Sequence, residues 1–547
     1  MKILLLGSND RAALATARAL GNNGHLIENI YFSVRTPLNY SKYINQSYYI
    51  GNPYINYTNF KQRLIAFVEN EAPDSIFPTS DISLDILFDC KEELRAFSKL
   101  IIPNERAYRL ARNKHESLKL AEELSIPFPK YKKVQILEVS TSNYPLYIKP
   151  IYSSLIQNQT CFSFSVNKVQ NPDELEQVLR DSVSVVPVML QTEIVGGYGI
   201  GVNVFARNGK IKFYTVNKRL HEPLNGGGSS YRVSVDLDNK LEEYVNKLVL
   251  EMSLSGAMMF EFKATNNDYY LMEINPRVWG SLPLSIFSGV NFPELMLDIK
   301  PENTSQYQPG KYARHFLKDS KWIFLHFRKT KSILLLFRWM LSFGRLLLGK
   351  EKLDVEKIFD LKPGISQYYI LIGVILLKTR LRLRYYFLER TLNITPKKCD
   401  KTDKVLFVCK GNIIRSAFSK HYLNKNYPQY KCDSAGTLLR RHRMTTKEAL
   451  KVGKHFDINL EAHRSKVIFD LDLKEFDIIF VYDLRNYVFI SDAFPQFKEK
   501  IRFLGMIRKT SKVSFQLKDP YGKKLNDYEL CFQTIKTCID FHFGEAK

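Results

Sequence analysis

Short apolar runs bounded by turn residues alternate with amphipathic stretches over residues 1–110. Lys2-Ile-Leu-Leu-Leu6, Ser75-Ile-Phe-Pro-Thr-Ser80 and Leu100-Ile-Ile-Pro103 are separated by segments such as Arg11-Ala-Ala-Leu-Ala-Thr-Ala-Arg-Ala-Leu20. That rhythm predicts βαβ units and a parallel sheet. From about 115 to 310 the strands lengthen and turn antiparallel in character, with hairpin signals at Arg207-Asn208-Gly209-Lys210 and Asn266-Asn267-Asp268, which predicts an α+β lobe. Residues 311 to about 395 read as basic amphipathic helices broken at Lys362-Pro363-Gly364. A Lys/Thr/Asp-rich linker then leads into the strand Lys404-Val-Leu-Phe-Val408, and βα alternation resumes to the end. The expected organisation is α/β multidomain: 1–110, 111–310, a helical connector at 311–401 and a doubly wound α/β domain at 402–547. No fixed-period repeat is visible, so solenoids and propellers are set aside.

Length and composition sharpen this picture. A chain of 547 residues exceeds what one hydrophobic core supports, and 45% hydrophobic with 25% charged residues is ordinary for globular proteins. The seven cysteines form no CxxC pair, so structural disulfides and a zinc site are not expected, and a reducing cytoplasm fits. The apolar run at the N-terminus is too short for a signal-peptide core, and no run reaches the roughly 18–20 apolar residues needed to span a bilayer. The net charge of +24 suits phosphate, anionic lipid or nucleic acid. It is unevenly placed: residues 1–310 hold 32 basic and 32 acidic side chains, whereas 311–395 hold 18 against 6. No nucleic-acid motif or aromatic-interleaved basic sheet accompanies it, so a nucleic-acid partner is not expected.

The first chemical constellation is Gly256-Ala-Met-Met-Phe-Glu261-Phe-Lys263, a turn, and Tyr269-Tyr-Leu-Met-Glu273-Ile-Asn275-Pro-Arg277. Two strands joined by a short turn place Glu261 opposite Glu273, and the period of two puts Glu273, Asn275 and Arg277 on one face. Two carboxylates and a carboxamide suit Mg²⁺ bridging nucleotide phosphates; a solvated polar hairpin face is the plainer alternative. Upstream lie Lys114 opening a helix, Ile126-Pro-Phe-Pro129, Lys149 ending a strand and the extended Gln191-Thr-Glu193-Ile194.

Taken in this order, residues 1 to about 310 resemble the ATP-grasp superfamily. The resemblance implies that Lys114 and Lys149 contact nucleotide phosphates and that Gln191, Glu193 and Ile194 form the adenine edge. It implies further that Glu261, Glu273 and Asn275 hold Mg²⁺ (Mn²⁺ as an alternative) and that Arg277 lies where an acyl phosphate forms. Lys218 and Arg219 are candidates for γ-phosphate contact, and Asn225 to Ser230 is either a lid or a flexible linker. Residues 151–160 depart from the family's glycine-rich phosphate loop. The implied chemistry is ATP-dependent activation of a small carboxylate as an acyl phosphate and its capture by an amine or another nucleophile. A nucleotide-sensing regulator that does not ligate is the alternative.

The second constellation follows the strand at 404–408: Cys409-Lys-Gly-Asn412-Ile-Ile-Arg415-Ser416, then a helix. A Cys-x5-Arg loop at a strand-to-helix turn aims backbone N–H groups and a helix N-terminus at one point, an anion site that favours the reactive thiolate. With Asp433-Ser-Ala-Gly-Thr437, His463-Arg-Ser465 and Lys518-Asp519-Pro-Tyr521-Gly522, residues 402–547 resemble low-molecular-weight protein tyrosine phosphatases. The resemblance implies Cys409 as nucleophile and Arg415 as phosphate ligand. Asn412 and Ser416 would order the loop, Asp519 would be the general acid and base, and Tyr521 an aromatic wall. Its substrate would be a phosphotyrosine protein or a small phosphate ester. Ile414 stands where many relatives carry a second loop cysteine, and Ala417 replaces the usual proline. Arsenate reduction would need resolving cysteines that Cys432, Cys531 and Cys538 are not obviously placed to supply.

The connector has two readings. Arg338 and Arg345, seven apart in Ser332–Leu348, share a helical face, and with Trp339 they suit peripheral contact with the anionic inner face of a membrane. The favoured reading packs these helices on the preceding lobe with their basic faces in water.

Overall fold

The computed structural model describes residues 1–547 apart from 8–9, 34, 135–143, 183–185, 224–226, 267, 300–305, 370, 374–375, 377–398, 507–515 and 545–547. The chain divides into two compact units, one holding 1–133, 145–168 and 189–373, the other 134–144, 169–188 and 374–547.

In the first unit, β1 (Lys2–Leu6), β2 (Leu26–Ile30), β3 (Gln46–Tyr48), β4 (Ser75–Pro78) and β5 (Lys99–Leu100) form a parallel sheet in the order β3-β2-β1-β4-β5. Ile3 to Leu6 are buried throughout, which is why β1 is a continuous apolar run and not an alternating one. Strand order reverses between β1 and β4, and the crevice at their C-terminal ends is where ligands of open α/β sheets bind. The helices Asp10–Asn22 and Asp81–Asp89 start there.

Next come β6 (Tyr131–Val134), β7 (Leu146–Pro150), the hairpin β8 (Ser154–Gln157) and β9 (Thr160–Ser163), β10 (Asn167–Val169) and β11 (Val188–Thr192). Four of these form a sheet ordered β10-β7-β11-β6. The large sheet comprises β12 (Tyr198–Arg207), β13 (Lys210–His221), β14 (Tyr231–Ser234), β15 (Gly256–Ala264), β16 (Tyr269–Asn275), β17 (Tyr312–Arg314) and β18 (Glu351–Leu353), ordered β16-β15-β12-β13-β14-β17-β18. The β12–β13 turn has φ 49° at Asn208 and 73° at Gly209, the left-handed pair that a two-residue hairpin requires. Leu241, Val245 and Leu248 of the helix Asn239–Glu251 close the core over this sheet.

The expected boundary at 310 is corrected. Residues 312–314 and 351–353 complete the large sheet as β17 and β18, with β17 antiparallel to β14 and parallel to β18. Buried Arg314 pairs with Asp319 (2.7 Å) and Glu351 (2.6 Å), and Arg232 of β14 pairs with Asp354 (2.6 Å). Lys362-Pro363-Gly364 opens a helix, with proline in its first turn. The helix Ile333–Ser342 has no fully buried residue and packs only through half-buried side chains such as Leu335, Leu336 and Trp339. Its Arg338 is exposed while Arg345 donates to the Tyr231 hydroxyl (2.7 Å), so the two arginines do not share a solvent face. Trp339 turns inward and donates Nε1 to Asp319 (2.7 Å). Most of the basic run after Leu376 lies outside the described residues. Among the described residues no helix is long and apolar enough to cross a membrane.

In the second unit, β19 (Lys404–Cys409), β20 (Lys431–Gly436), β21 (Ile478–Val481) and β22 (Ile501–Phe503) form a parallel sheet ordered β20-β19-β21-β22. The helices Arg415–Asn426 and Leu525–Phe543 cover one face, through Phe418 stacked on Phe532 at 3.9 Å. This unit also takes in the helix Pro172–Ser182, expected with the preceding lobe, whose Glu176 pairs with Lys447 (2.9 Å).

Candidate functional sites

In the second unit the strand-to-helix turn builds its own anion cradle. The amide of Asn412 donates to Cys409 Sγ (3.2 Å), and Ser416 Oγ lies 3.0 Å from that sulfur. Asn412 has φ 52°, a left-handed conformation that asparagine tolerates better than most residues. Its side chain secures the strain: Nδ2 donates to Ser416 Oγ and Ser434 Oγ (both 2.9 Å), and Oδ1 accepts from the Lys466 amide (2.8 Å). His463 Nε2 lies 2.8 Å from the Asn412 carbonyl, and burial draws its pKa down to about 4, so the ring is neutral and donates there. Gly436 is required beneath the loop, because a Cβ there would lie 3.0 Å from the backbone of Gly411 and of Lys410.

Arg415 is 1% exposed and donates to Asp519 (2.7 Å), Asp483 (2.9 Å) and the Leu517 carbonyl (2.8 Å). Burial alone would lower its pKa; Asp519, Cys409 and Asp483 outweigh burial and hold it above the ordinary value. Cys409, Asn412, Arg415, Ser416 and Asp519 therefore share one site, with Tyr521 half-exposed nearby in sequence. Asp483 went unnoticed in the sequence; it ends no motif and is recognisable only as the N-cap after β21. Burial pushes Cys432, Cys531 and Cys538 up to about 12, so they are thiols and poor candidates for resolving cysteines.

The first unit holds a cavity of about 720 Å³. Glu261 of β15 stands directly opposite Glu273 of β16, beside a bulge between Glu261 and Phe262. Asn275 donates to Glu261 (3.4 Å), and Arg219 to the other Glu261 oxygen (2.5 Å). Asn113 caps the helix that follows by accepting from His115 and Glu116 amides, which fixes Lys114 at the first helical position. Lys114 lies 3.2 Å from Glu273 and donates to Ser153 (2.6 Å). Lys149, at the end of β7, is 8% exposed, and burial draws its pKa down to about 8. Burial pushes Glu273 up, but the ammonium groups of Lys114 and Lys149 prevail and hold it below the usual carboxylate value. Two carboxylates and a carboxamide, charge-balanced by two lysines and an arginine, are a donor set suited to Mg²⁺ with polyphosphate.

Three placements differ from expectation. Gln191 is 1% exposed and absent from the cavity wall, which Thr192, Glu193 and Ile194 line instead, with Glu193 bound to Lys168 at 2.6 Å. Lys218 and Arg219 are adjacent in β13 and so face opposite ways: Arg219 lines the cavity, while Lys218 sits 3.8 Å over the Tyr198 ring. Residues 154–163 form the β8–β9 hairpin, tied down by Arg112, which bridges Asp85 (2.7 Å) and the Ser154 carbonyl (3.0 Å). Asn225 lies outside the described residues.

Arg277 makes a two-pronged pair with Asp81 at the start of the helix after β4, both contacts 3.0 Å. Asp81 was missed in the sequence, although an acidic residue at the C-terminal end of a parallel strand is a signal of its own. A smaller cavity of about 320 Å³ is lined by Asp81, Arg277, Phe32 and Tyr54.

The first unit thus sets two carboxylates among lysines and arginines around one cavity, and the second sets a cysteine and an arginine in one strand-to-helix loop. Residues 185–315 match the family model described as "ATP-grasp in the biosynthetic pathway with Ter operon", and residues 404–544 match that of "Low molecular weight phosphotyrosine protein phosphatase". The chain thus carries an ATP-grasp region followed by a low molecular weight phosphotyrosine phosphatase domain. The low molecular weight protein-tyrosine-phosphatase Wzb of Salmonella typhi is 25% identical over 134 residues, 24% of this chain and 87% of that protein. The C-terminal section of the carbamoyl phosphate synthase large chain of Aquifex aeolicus is 22% identical over 261 residues, 43% of this chain and 44% of that protein. The chain therefore spans less than half of that relative. Among solved structures, L-amino acid ligase from Bacillus licheniformis matches with a TM-score of 0.46 at 14% identity, over 57% of this chain and 78% of that one.

Proposed function

We propose that the chain is a bifunctional enzyme: an ATP-dependent ligase that activates a small carboxylate as an acyl phosphate, and a phosphatase for phosphotyrosine or small phosphate esters. The observation that carries the ligase half is the Glu261–Glu273 pair set against Lys149, Lys114 and Arg277 around one cavity. Lys114 and Lys149 hold the transferred phosphoryl group, while Ile194 and its neighbours provide the base edge. Glu261, Glu273 and Asn275 would hold Mg²⁺, which when bound neutralises phosphate charge. Arg277, released from Asp81, stabilises the acyl phosphate. In the phosphatase half, Cys409 Sγ attacks phosphorus while Arg415 and the loop amides bind the equatorial oxygens. Asp519 protonates the departing oxygen and then deprotonates the water that cleaves the phosphocysteine.

The test is release of ADP and phosphate from Mg-ATP with a panel of carboxylates and amines. Acceptor-dependent release supports ligation. Measurable ATP affinity with no turnover in any combination favours the regulator reading, in which nucleotide binding governs the phosphatase.

Membrane contact is favoured by one further observation. Ile333, Leu334, Phe337, Met340 and Leu341 of one helix are all more than half exposed, and Leu347 is 92% exposed, beside exposed Arg328, Lys329 and Arg338. An apolar face rimmed by cations fits an anionic lipid surface. The full chain should float with phosphatidylglycerol vesicles and not with phosphatidylcholine; recovery in the soluble fraction with both removes the idea.

A further inference from the structure

One wall of the front cavity carries a charge that the ligase chemistry above does not use. Arg232 on β14 is 0% exposed and lines the cavity, yet only Nη2 has a partner, Asp354 at 2.6 Å. Its Nε and Nη1 meet no acceptor among the described residues. Buried donors of this kind call for an explanation, since a donor left unmade keeps its full desolvation penalty. Arg11, from the helix that follows β1, enters the same cavity. It donates Nη1 to the Ser229 carbonyl (2.9 Å) and pairs with no carboxylate among the described residues. Burial first, and then the charge of Arg232, draw the Arg11 pKa down to about 10, which places the two guanidinium groups within each other's field. Asp354 is the nearby carboxylate that opposes both, and it cannot neutralise two cations.

The backbone makes room for this arrangement. A Cβ at Gly228 would fall 2.8 Å from Arg11 Nη2, and one at Gly280 would fall 3.0 Å from it, so two glycines leave a slot that the guanidinium fills. Buried like charges short of a counter-ion are costly unless an anion completes them.

We propose that Arg11 and Arg232 are the receptor for an anionic group, a carboxylate or a phosphate, on the second ligand of the front cavity. The assignment rests on the ATP-grasp reading for the identity of the first ligand. It makes the ligase substrate bifunctional: one end is presented to Arg277 and the metal-binding carboxylates, and a remote anionic end is seated at Arg11 and Arg232.

Hydrogen exchange of the full chain, followed by mass spectrometry, tests this with inorganic phosphate and succinate as probes and MgADP present throughout. Either probe should slow exchange over 227–235 at least about two-fold. Protection by succinate alone assigns a carboxylate, and by phosphate alone a phosphate. Arg11→Gln should raise the half-saturating concentration by about ten-fold or more, the scale expected for a lost charge-assisted hydrogen bond. Gly280→Ala, which keeps the charge but crowds Nη2, should do the same, and it decides the matter if Arg11→Gln fails to fold. Unchanged half-saturation in a folded variant, or phosphate protection confined to 409–416 with none at 227–235, overturns the proposal. MgADP protection over 189–194 is read separately: its absence with probe binding retained would refute the nucleotide reading and leave the anion receptor standing.

Discussion

The two candidate phosphate sites are built by opposite means. The cradle around Cys409 is built on eight consecutive residues of one strand-to-helix turn, braced by Ser434, His463 and Lys466 and with Arg415 held by Asp483 and Asp519, so the loop is already shaped before any ligand arrives. The front cavity is assembled from side chains scattered between Arg11 and Ser281, and its charges pair with one another: Lys114 with Glu273, Arg219 with Glu261, Arg277 with Asp81. A preorganised local loop spends nothing on rearrangement at the moment of binding. The cavity must exchange internal ion pairs for ligand contacts, which makes its affinity sensitive to each partner and to pH.

Substitutions can break this contrast. The largest expected effect is Cys409→Ser, which should reduce aryl phosphate hydrolysis by at least about 10³-fold in steady-state assays while leaving ATP affinity unchanged. Phosphate binding to that variant should persist, since the amides and Arg415 remain. Next, Lys149→Met should weaken Mg-ATP binding by about 10²-fold in titration calorimetry, with aryl phosphate hydrolysis intact.

The pH response sharpens the same comparison. Because Lys149 sits at about 8 in the free protein, nucleotide affinity should fall as pH rises through that value, where the neutral amine no longer attracts phosphate. Bound nucleotide favours the charged amine, so the midpoint moves upward when ligand is present. Lys149→Arg should flatten the profile to pH 9.5 while retaining affinity.

The smallest effect is on stability. His463 and His542 are buried and neutral, with pKa values drawn down to about 4 from 6.5. The unfolded chain takes up these protons first, so the stability they contribute is complete above pH 6.5 and is lost as pH falls toward 4. It amounts to at most about 3 kcal/mol for each. Chemical denaturation of the second unit at pH 7 and pH 4.5 should show this loss, and His463→Gln should reduce it.

What the sequence disclosed follows from the same distinction. Cys409 to Ser416 lie on one strand, one loop and one helix, so spacing alone brings them together. Glu261 and Glu273 were legible because a hairpin with a short turn fixes its own register. Lys218 and Arg219 were grouped by adjacency, whereas a strand sends neighbours to opposite faces. Gln191 was assigned to the adenine edge with its strand, but the pleat turns it into the core. Arg11 and Arg232 carried no local signal, because their partners Ser229 and Asp354 lie 218 and 122 positions away; Asp81 had one in its place at the end of a parallel strand, but its partner Arg277 lies 196 positions away. Three-residue strands such as β17 and β18 are too short to display a period of two against an apolar helical background.

Those two short strands also set how far the front enzyme can be trimmed. Ending the chain at 310 would remove β17, the neighbour of β14 on the side away from β13, leaving an open row of backbone donors and acceptors ready to pair with another copy. It would also strand Arg232 in the interior without Asp354. A fragment ending near 373 keeps both. In modular terms, the segment resembling a tether is a structural graft of the unit before it, and the joint between the two units lies further along the chain.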